Sequence, residues 1–90
     1  MPQYLITYDL HQSGRNYEKV KQGITALGES AKLLESVWLV SHPYTASQIV
    51  DHLKVFIDGN DSVAVIELGK NWSTLRVLSE GVTFLKKHRP

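Results

Sequence analysis

An aspartate and a histidine stand at the end of the first apolar run of the chain, where chemistry is possible. The run YLITYD is rich in β-branched and aromatic residues, which is typical of a strand inside a sheet. Asp9 lies near its end and His11 follows two residues later. A carboxylate at a strand end is either a ligand for a hard cation or an acceptor for the backbone of the following turn. His11 is either a general base near neutral pH or an exposed loop histidine.

Basic side chains gather at two other places. Lys86, Lys87, His88 and Arg89 close the chain, and Arg15 follows the first strand. The formal net charge is only +1, so the chain lacks the strongly basic balance that is usual for non-specific nucleic-acid binding. These residues are either phosphate contacts, with Arg15, Lys86, Lys87 and Arg89 as the candidates, or solvated surface charges.

The composition predicts one domain over residues 1–90 and a cytoplasmic location. Hydrophobic residues make up 42% and charged residues 21% of the chain, which is ordinary for a globular domain. Cysteine is absent, which excludes disulfides and thiolate metal sites and fits a reducing compartment. The first ten residues lack a secretory leader pattern, and no apolar run approaches the roughly 20 residues that cross a bilayer. No membrane association is therefore expected.

The first half of the chain predicts a strand, a helix and a pair of strands. The first strand covers 3–10, and Asn16 is the expected N-cap of a helix that stops near Gly28. The apolar face of that helix is spaced by three and four residues, at Tyr17, Val20, Ile24 and Leu27. Gly23 inside the helix indicates close packing on the sheet. The stretch 30–41 is long and strand-like, and we divide it near Glu35 into two antiparallel strands or one bent pair.

The second half predicts a helix, a strand and a last helix. Thr45 and Gln48 form a T-x-x-Q capping box, and Tyr44 and Ile49 have the spacing of a hydrophobic staple. The turn DGND leads into a strand at 62–68. A helical extension is expected over 71–88, capped by Asn71 or Ser73, and its apolar side is formed by Leu75, Leu78, Val82 and Leu85.

The resulting order is β-α-β-β-α-β followed by a helix. It predicts an α+β, ferredoxin-like fold with an antiparallel sheet, a core at 3–68 and two helices on one sheet face. The strands VWLV and SVAVIEL are apolar on both faces, whereas a sheet with one wet face should alternate. Either the last helix or a second subunit must cover the other face. We expect a homodimer, with the last helix covering an edge.

Three segments in this order resemble one known family. They are YDL at the end of the first strand, SVW in the middle strand pair and DSVAVIEL after the second helix. Together they are similar to the small ferredoxin-like endonucleases of CRISPR spacer adaptation, the CRISPR-associated family numbered two. The resemblance covers roughly residues 3–68. The virulence-associated protein D ribonucleases are a more distant likeness.

The resemblance implies a homodimer in which the aspartates of the two first strands face each other and bind a divalent metal. Carried over to this chain, it points to Asp9, with Tyr8 beside it and Ser36 in SVW. The implied function is a nuclease that uses Mg²⁺ or Mn²⁺ to hydrolyse DNA or RNA. The alternative is a non-catalytic dimeric module that binds nucleic acid or protein in a phage-defence or toxin–antitoxin setting.

Overall fold

A four-stranded antiparallel sheet forms the centre of the computed structural model, which describes residues 1–11 and 17–90. The strands are β1 (Gln3–Asp9), β2 (Ser30–Leu34), β3 (Val37–Ser41) and β4 (Ser62–Glu67). Their order in the sheet is β2-β3-β1-β4, so β1 and β3 are central and β2 and β4 are edges. This arrangement confirms the ferredoxin-like α+β fold and the strand pair divided near Glu35.

In the described part of the chain, three helices accompany the sheet. They are α1 (Tyr17–Thr25), α2 (Ala46–Leu53), which continues into a 3₁₀ turn at Lys54–Phe56, and α3 (Ser79–His88). The predicted capping box starts α2: Thr45 Oγ1 accepts from the Gln48 N–H at 3.2 Å, and Gln48 Oε1 accepts from the Thr45 N–H at 2.9 Å. The expected N-cap Asn16 lies outside the described residues. No helix in the described part of the chain is long and apolar enough to cross a membrane.

Helices α1 and α2 cover one face of the sheet, which we call the first face. The buried residues of its core are Tyr4, Ile6, Tyr8, Leu10, Val20, Ile24, Leu27, Trp38, Val40, Ile49 and Leu53. Every second residue of β1 and β3 contacts the apolar sides of both helices there. Side chains alternate between the two faces along a strand, and residues three or four positions apart share one side of a helix. Trp38 is only 6% exposed, so it belongs to this core rather than to a surface that stacks bases.

Gly23 provides close contact between α1 and the 3₁₀ turn, not between α1 and the sheet as expected. A Cβ built at Gly23 would lie 2.6 Å from Cγ of Phe56. The tight neighbour is therefore an aromatic ring of the 3₁₀ turn that follows α2. Sequence spacing shows that a small residue is needed in the helix, but it does not identify the element that approaches it.

The last helix is shorter than predicted and begins at Ser79, not at Asn71 or Ser73. Residues 69–78 contain no helix or strand. Trp72 and Val77 from this segment pack against the sheet, whereas Leu75 is exposed. These two side chains hold the segment against the sheet. The prediction that Leu75 and Leu78 lie on the apolar side of a helix is therefore wrong.

Helix α3 packs on the second face, above β2 and β3. Phe84 and Leu85 are buried there against Ala31, Leu33 and Leu39. We expected this helix along an edge, yet it covers half of a sheet face. Gly81 permits the approach, since a Cβ at this position would lie 3.0 Å from the backbone Cα of Leu33 and 3.1 Å from the Lys32 carbonyl oxygen.

The other half of the second face, along β1 and β4, is not covered in this way. Thr7 lies directly opposite Ala64, and Asp9 lies opposite Ser62 in the antiparallel register. Residues directly opposite each other in neighbouring strands lie on the same face of the sheet. Ile66 lies on this face too, because it is two positions after Ala64 in β4, and it is 58% exposed. We call this surface, formed by Thr7, Asp9, Ser62, Ala64 and Ile66, the open half-face.

Candidate functional site

Asp9 is the last residue of β1, and its carboxylate lies on the open half-face. Its side chain is 76% exposed, and Oδ2 lies 3.6 Å from Nε2 of His11, which is 46% exposed. The sheet register fixes the direction of the Asp9 side chain, and the chain leaves the strand directly after it. The structure thus brings together the two residues that the sequence selected as candidates for catalysis.

Asp61 is a third polar residue at this end of the sheet, and sequence reasoning missed it. Its Oδ1 accepts from the backbone N–H of His11 at 2.8 Å, and its Oδ2 accepts from the N–H of Asp58 at 2.9 Å. These two backbone donors hold the pKa of the Asp61 carboxyl below its usual value. Asp61 directly precedes β4, and the first residue of β4, Ser62, lies opposite Asp9. The antiparallel pairing of β1 with β4 therefore places Asp61 close to Asp9 and His11.

The contacts of Asp61 test the alternative interpretation of Asp9, in which its carboxylate accepts hydrogen bonds from the backbone of the following turn. At His11, the backbone N–H donates to Asp61 and not to Asp9. Asp61 therefore takes the structural role at this point, because its two oxygens join the end of β1 to the turn before β4. Among the residues that the structure describes, His11 is the ionic partner of Asp9. The Asp9 carboxylate remains open to solvent.

One protomer offers few ligands for a cation. Within residues 1–11 and 17–90, no group of three or more histidine, aspartate and glutamate side chains is placed to hold a metal ion. Both oxygens of Asp61 already accept backbone hydrogen bonds. The Asp9 carboxylate at this end of the sheet is exposed, and its oxygens are of the type that Mg²⁺ and Mn²⁺ prefer.

The structure places Tyr8 and Ser36 away from the Asp9 carboxylate. Tyr8 is buried on the first face, opposite the side on which Asp9 lies. Burial raises the pKa of the Tyr8 phenol, and the Trp38 indole beside it partly opposes that rise. Ser36 accepts a hydrogen bond from the Tyr8 N–H through its backbone carbonyl at 3.2 Å. Both residues thus support the local structure of β1.

The basic residues at the end of α3 differ in whether they form ion pairs within the chain. Nε2 of His88 and Nζ of Lys87 lie 2.9 and 3.0 Å from the same oxygen of Glu29. The His88 ring, and then the Lys87 ammonium, hold the pKa of the Glu29 carboxyl below its usual value. The Arg89 carbonyl accepts from the Trp72 indole N–H. Lys86 is exposed, and Arg15 lies outside the described residues.

Comparison with known proteins gives no family for this chain. No family model matches it, and no solved structure gives a significant match.

Proposed function

We propose that two copies of this chain associate through their open half-faces and form a divalent-metal-dependent nuclease, with Asp9 of each copy at the interface. The exposed Asp9 carboxylate on an uncovered sheet surface is the observation that carries this proposal. The resemblance of YDL, SVW and DSVAVIEL to the CRISPR-associated endonucleases supplies the reaction class. Both parts can be tested separately.

The second copy is the occupant that suits the open half-face best. The surface contains an exposed isoleucine and an exposed alanine, Ile66 and Ala64, which follow Ser62 along β4. In a chain of 90 residues, a large share of the unfolded apolar surface stays exposed after folding. A two-fold axis through this surface would bring identical residues together, so that each protomer supplies one Asp9.

Two carboxylates explain why a hard cation would bind between the copies. Facing carboxylates repel each other, and a divalent ion relieves this repulsion while it gains oxygen ligands. The bound metal would polarise a phosphodiester and stabilise the negative charge that develops during hydrolysis. His11 is the neighbouring group that is able to accept a proton from water. Asp61 would keep the His11 backbone in place through its hydrogen bond.

Asp9→Asn is the decisive variant, because it keeps the size of the side chain and removes its charge. Cleavage of single-stranded RNA and of double-stranded DNA is followed with Mg²⁺, with Mn²⁺ and with chelator. We expect metal-dependent cleavage by the unchanged protein and a loss of at least about a hundredfold in the variant. The melting temperature should remain nearly the same, since Asp9 is exposed.

Asp51→Asn is the matched control, because Asp51 is an exposed carboxylate on α2, on the other side of the sheet. It should cleave like the unchanged protein. Equal cleavage by the unchanged protein and Asp9→Asn, or no cleavage with either metal, would contradict the catalytic proposal. The chain would then fit the alternative of a dimeric binding module, which a binding assay on the same nucleic acids would test.

A further inference from the structure

The two edges of the sheet differ in what lies beside them. At β2, the Leu33 carbonyl accepts from the N–H of Leu78 at 3.0 Å, so the segment before α3 covers part of this edge. At β4, the other edge, no strand in the described part of the chain pairs with the side that faces away from β1. The outer side of β4 is therefore a place where a further strand can add.

The register of β1 and β4 shows which backbone groups of β4 point outward. The N–H of Leu68 donates to the Gln3 carbonyl at 2.8 Å, and from there every second residue of β4 bonds to β1. The residues between them direct their backbone groups to the other side of the strand. The N–H and C=O groups of Val63, Val65 and Glu67 therefore point away from β1.

A cavity lies beside the beginning of β4, between this strand and α2. Its volume is about 590 Å³, and Val50, Ile57 and Val63 form its apolar wall. Cavities of this size are typical of ligand sites, and this one accommodates an apolar side chain. We call the cavity, together with the outward backbone groups of Val63, Val65 and Glu67, the edge groove.

Helix α2 directs opposite sides to α1 and to the edge groove. On one side, Nε2 of His52 lies 2.8 Å from the carbonyl oxygen of Gly23 in α1. Val50 and Lys54 line the cavity and lie on another side of α2, since helical residues two positions apart do not share a side. The edge groove therefore lies on the side of α2 that faces away from α1.

The surroundings of the edge groove carry more negative than positive charge. The lysines on α2, on β4 or next to them are Lys54 and Lys70, and the carboxylates are Asp51, Asp58, Asp61 and Glu67. Lys54 is paired with Asp51 at 3.1 Å, whereas Asp58 is an exposed carboxylate at the cavity. A basic strand would complement this charge. A second copy of the chain would bring the same excess of carboxylates, so charge repulsion opposes self-pairing at this edge.

We propose that the edge groove binds an extended, basic segment of a partner protein, which adds to β4 as an antiparallel fifth strand. The backbone of the segment would exchange hydrogen bonds with Val63 and Val65. The side chain opposite Val63 would lie on the first face, so a branched apolar residue at this position would enter the cavity. An arginine or lysine two positions later would lie beside the turn that contains Asp58.

This inference goes beyond the proposed nuclease and uses a different surface. Association through the open half-face would involve the side chains of Ser62, Ala64 and Ile66, whereas the edge groove uses the outward backbone of β4 and the cavity beside α2. A partner segment could therefore bind to the monomer and to the proposed dimer alike.

Amide hydrogen exchange distinguishes the outer side of β4 from its inner side. The probe is a capped hexapeptide, threonine–valine–threonine–isoleucine–threonine–arginine, whose isoleucine would lie opposite Val63. In the free protein the N–H groups of Val63 and Val65 should exchange fast, whereas those of Ala64 and Ile66, which bond to β1, should exchange slowly. Saturating peptide should slow exchange at Val63 and Val65 by at least about tenfold and leave Ala64 and Ile66 nearly unchanged.

Three altered peptides separate the contributions to binding. Replacing the isoleucine with serine leaves the cavity without an apolar side chain and should weaken binding at least about tenfold. Methylation of the isoleucine nitrogen removes the donor to the Val63 carbonyl and should have an effect of similar size. Replacing the arginine with glutamate should weaken binding at least about threefold, because it brings a carboxylate toward Asp58.

Two protein variants test the same contacts from the other side. Asp58→Asn should weaken binding of the arginine peptide about threefold, and Glu80→Gln, at an exposed carboxylate on α3, is the control that should bind unchanged. Val50→Phe fills the cavity and should remove the preference for the isoleucine peptide over the serine peptide. Asp58→Asn and the altered peptides remain as tests if Val50→Phe folds poorly.

Several results would overturn the assignment. Slow exchange at Val63 and Val65 in the free protein at every protein concentration would show that the chain itself covers this edge. Protection that rises with protein concentration would show that a second copy does. Unchanged exchange with millimolar peptide, or equal binding of the methylated peptide, would also contradict the proposal. Asp9→Asn should bind the peptide like the unchanged protein, so a failure of peptide binding and a failure of cleavage are distinguishable.

Discussion

Asp61 joins the end of β1 to the beginning of β4 through the backbone N–H of His11, at a donor–acceptor distance of 2.8 Å. Its second oxygen accepts from the Asp58 N–H within its own turn. One carboxylate thereby fixes two chain segments at the end of the sheet where Asp9 lies. The two neighbouring aspartates have different roles, because Asp61 is occupied by backbone donors and Asp9 is open to solvent.

Asp61→Asn should lower the stability of the fold, whereas Asp9→Asn should not. The amide oxygen of asparagine accepts less strongly than a carboxylate, and its nitrogen faces a backbone donor. The free energy of unfolding, measured by urea denaturation, should fall for Asp61→Asn and remain nearly constant for Asp9→Asn. Equal stability of all three proteins would show that the Asp61 contacts contribute little.

The stability that Asp61 provides should depend on pH. Its pKa is lowered in the folded chain, so the folded state favours the charged carboxylate. This contribution is present above the unfolded pKa of about 3.9 and is lost as the pH falls through the lower folded value. The unchanged protein should therefore lose more stability than Asp61→Asn as the pH falls below about 4. Parallel pH profiles of the two proteins would contradict this assignment.

Gly81→Ala should destabilise the protein although alanine favours helices. The added Cβ would meet the backbone of β2 at 3.0 Å from the Leu33 Cα, so α3 must move away from the sheet. We expect the free energy of unfolding to fall by about 1–2 kcal/mol, after the helix propensity of alanine has offset part of the cost. Gly59→Ala is the control, because a Cβ there has open space around it. A stabilised Gly81→Ala would show that α3 is loosely packed.

The sequence predicted the elements that depend on local chemistry. The T-x-x-Q pattern of Thr45 and Gln48 located the start of α2, since a capping box is formed within four residues. The division of 30–41 near Glu35 was also confirmed. The last helix was placed too early, because Trp72 and Val77 are held by the second face and such contacts depend on the whole fold.

The candidate site was predictable only in part for the same reason. Asp9 and His11 are two positions apart in sequence, so the strand end was sufficient to bring them together. Asp61 is 50 residues from His11, and only the antiparallel register of β1 and β4 makes them neighbours.

Glu29→Gln should strengthen nucleic-acid binding if the end of α3 contacts phosphates. Glu29 engages Lys87 and His88 through one oxygen, and its removal would free both for an anionic ligand. Lys86→Gln should have the opposite effect and also reduce the dependence of the affinity on salt. Because the Glu29 ion pair is exposed, we expect less than a tenfold change in affinity. Fluorescence anisotropy with single-stranded RNA at several salt concentrations provides the measurement. Unchanged affinity in both variants would exclude this patch.

Ile66→Glu should convert the proposed dimer into a monomer while each protomer stays folded. Ile66 is 58% exposed on the open half-face, so a carboxylate there is solvated in the monomer. In the dimer it would be buried in an apolar interface, at a cost that association cannot offset.

Val55→Glu is the matched control: Val55 is 71% exposed, but it lies in the 3₁₀ turn after α2, away from the open half-face. Light scattering at micromolar concentration should give a dimer mass for the unchanged protein and Val55→Glu, and a monomer mass for Ile66→Glu. A monomer mass for the unchanged protein would remove the dimer, and with it the pairing of two Asp9 carboxylates around one cation.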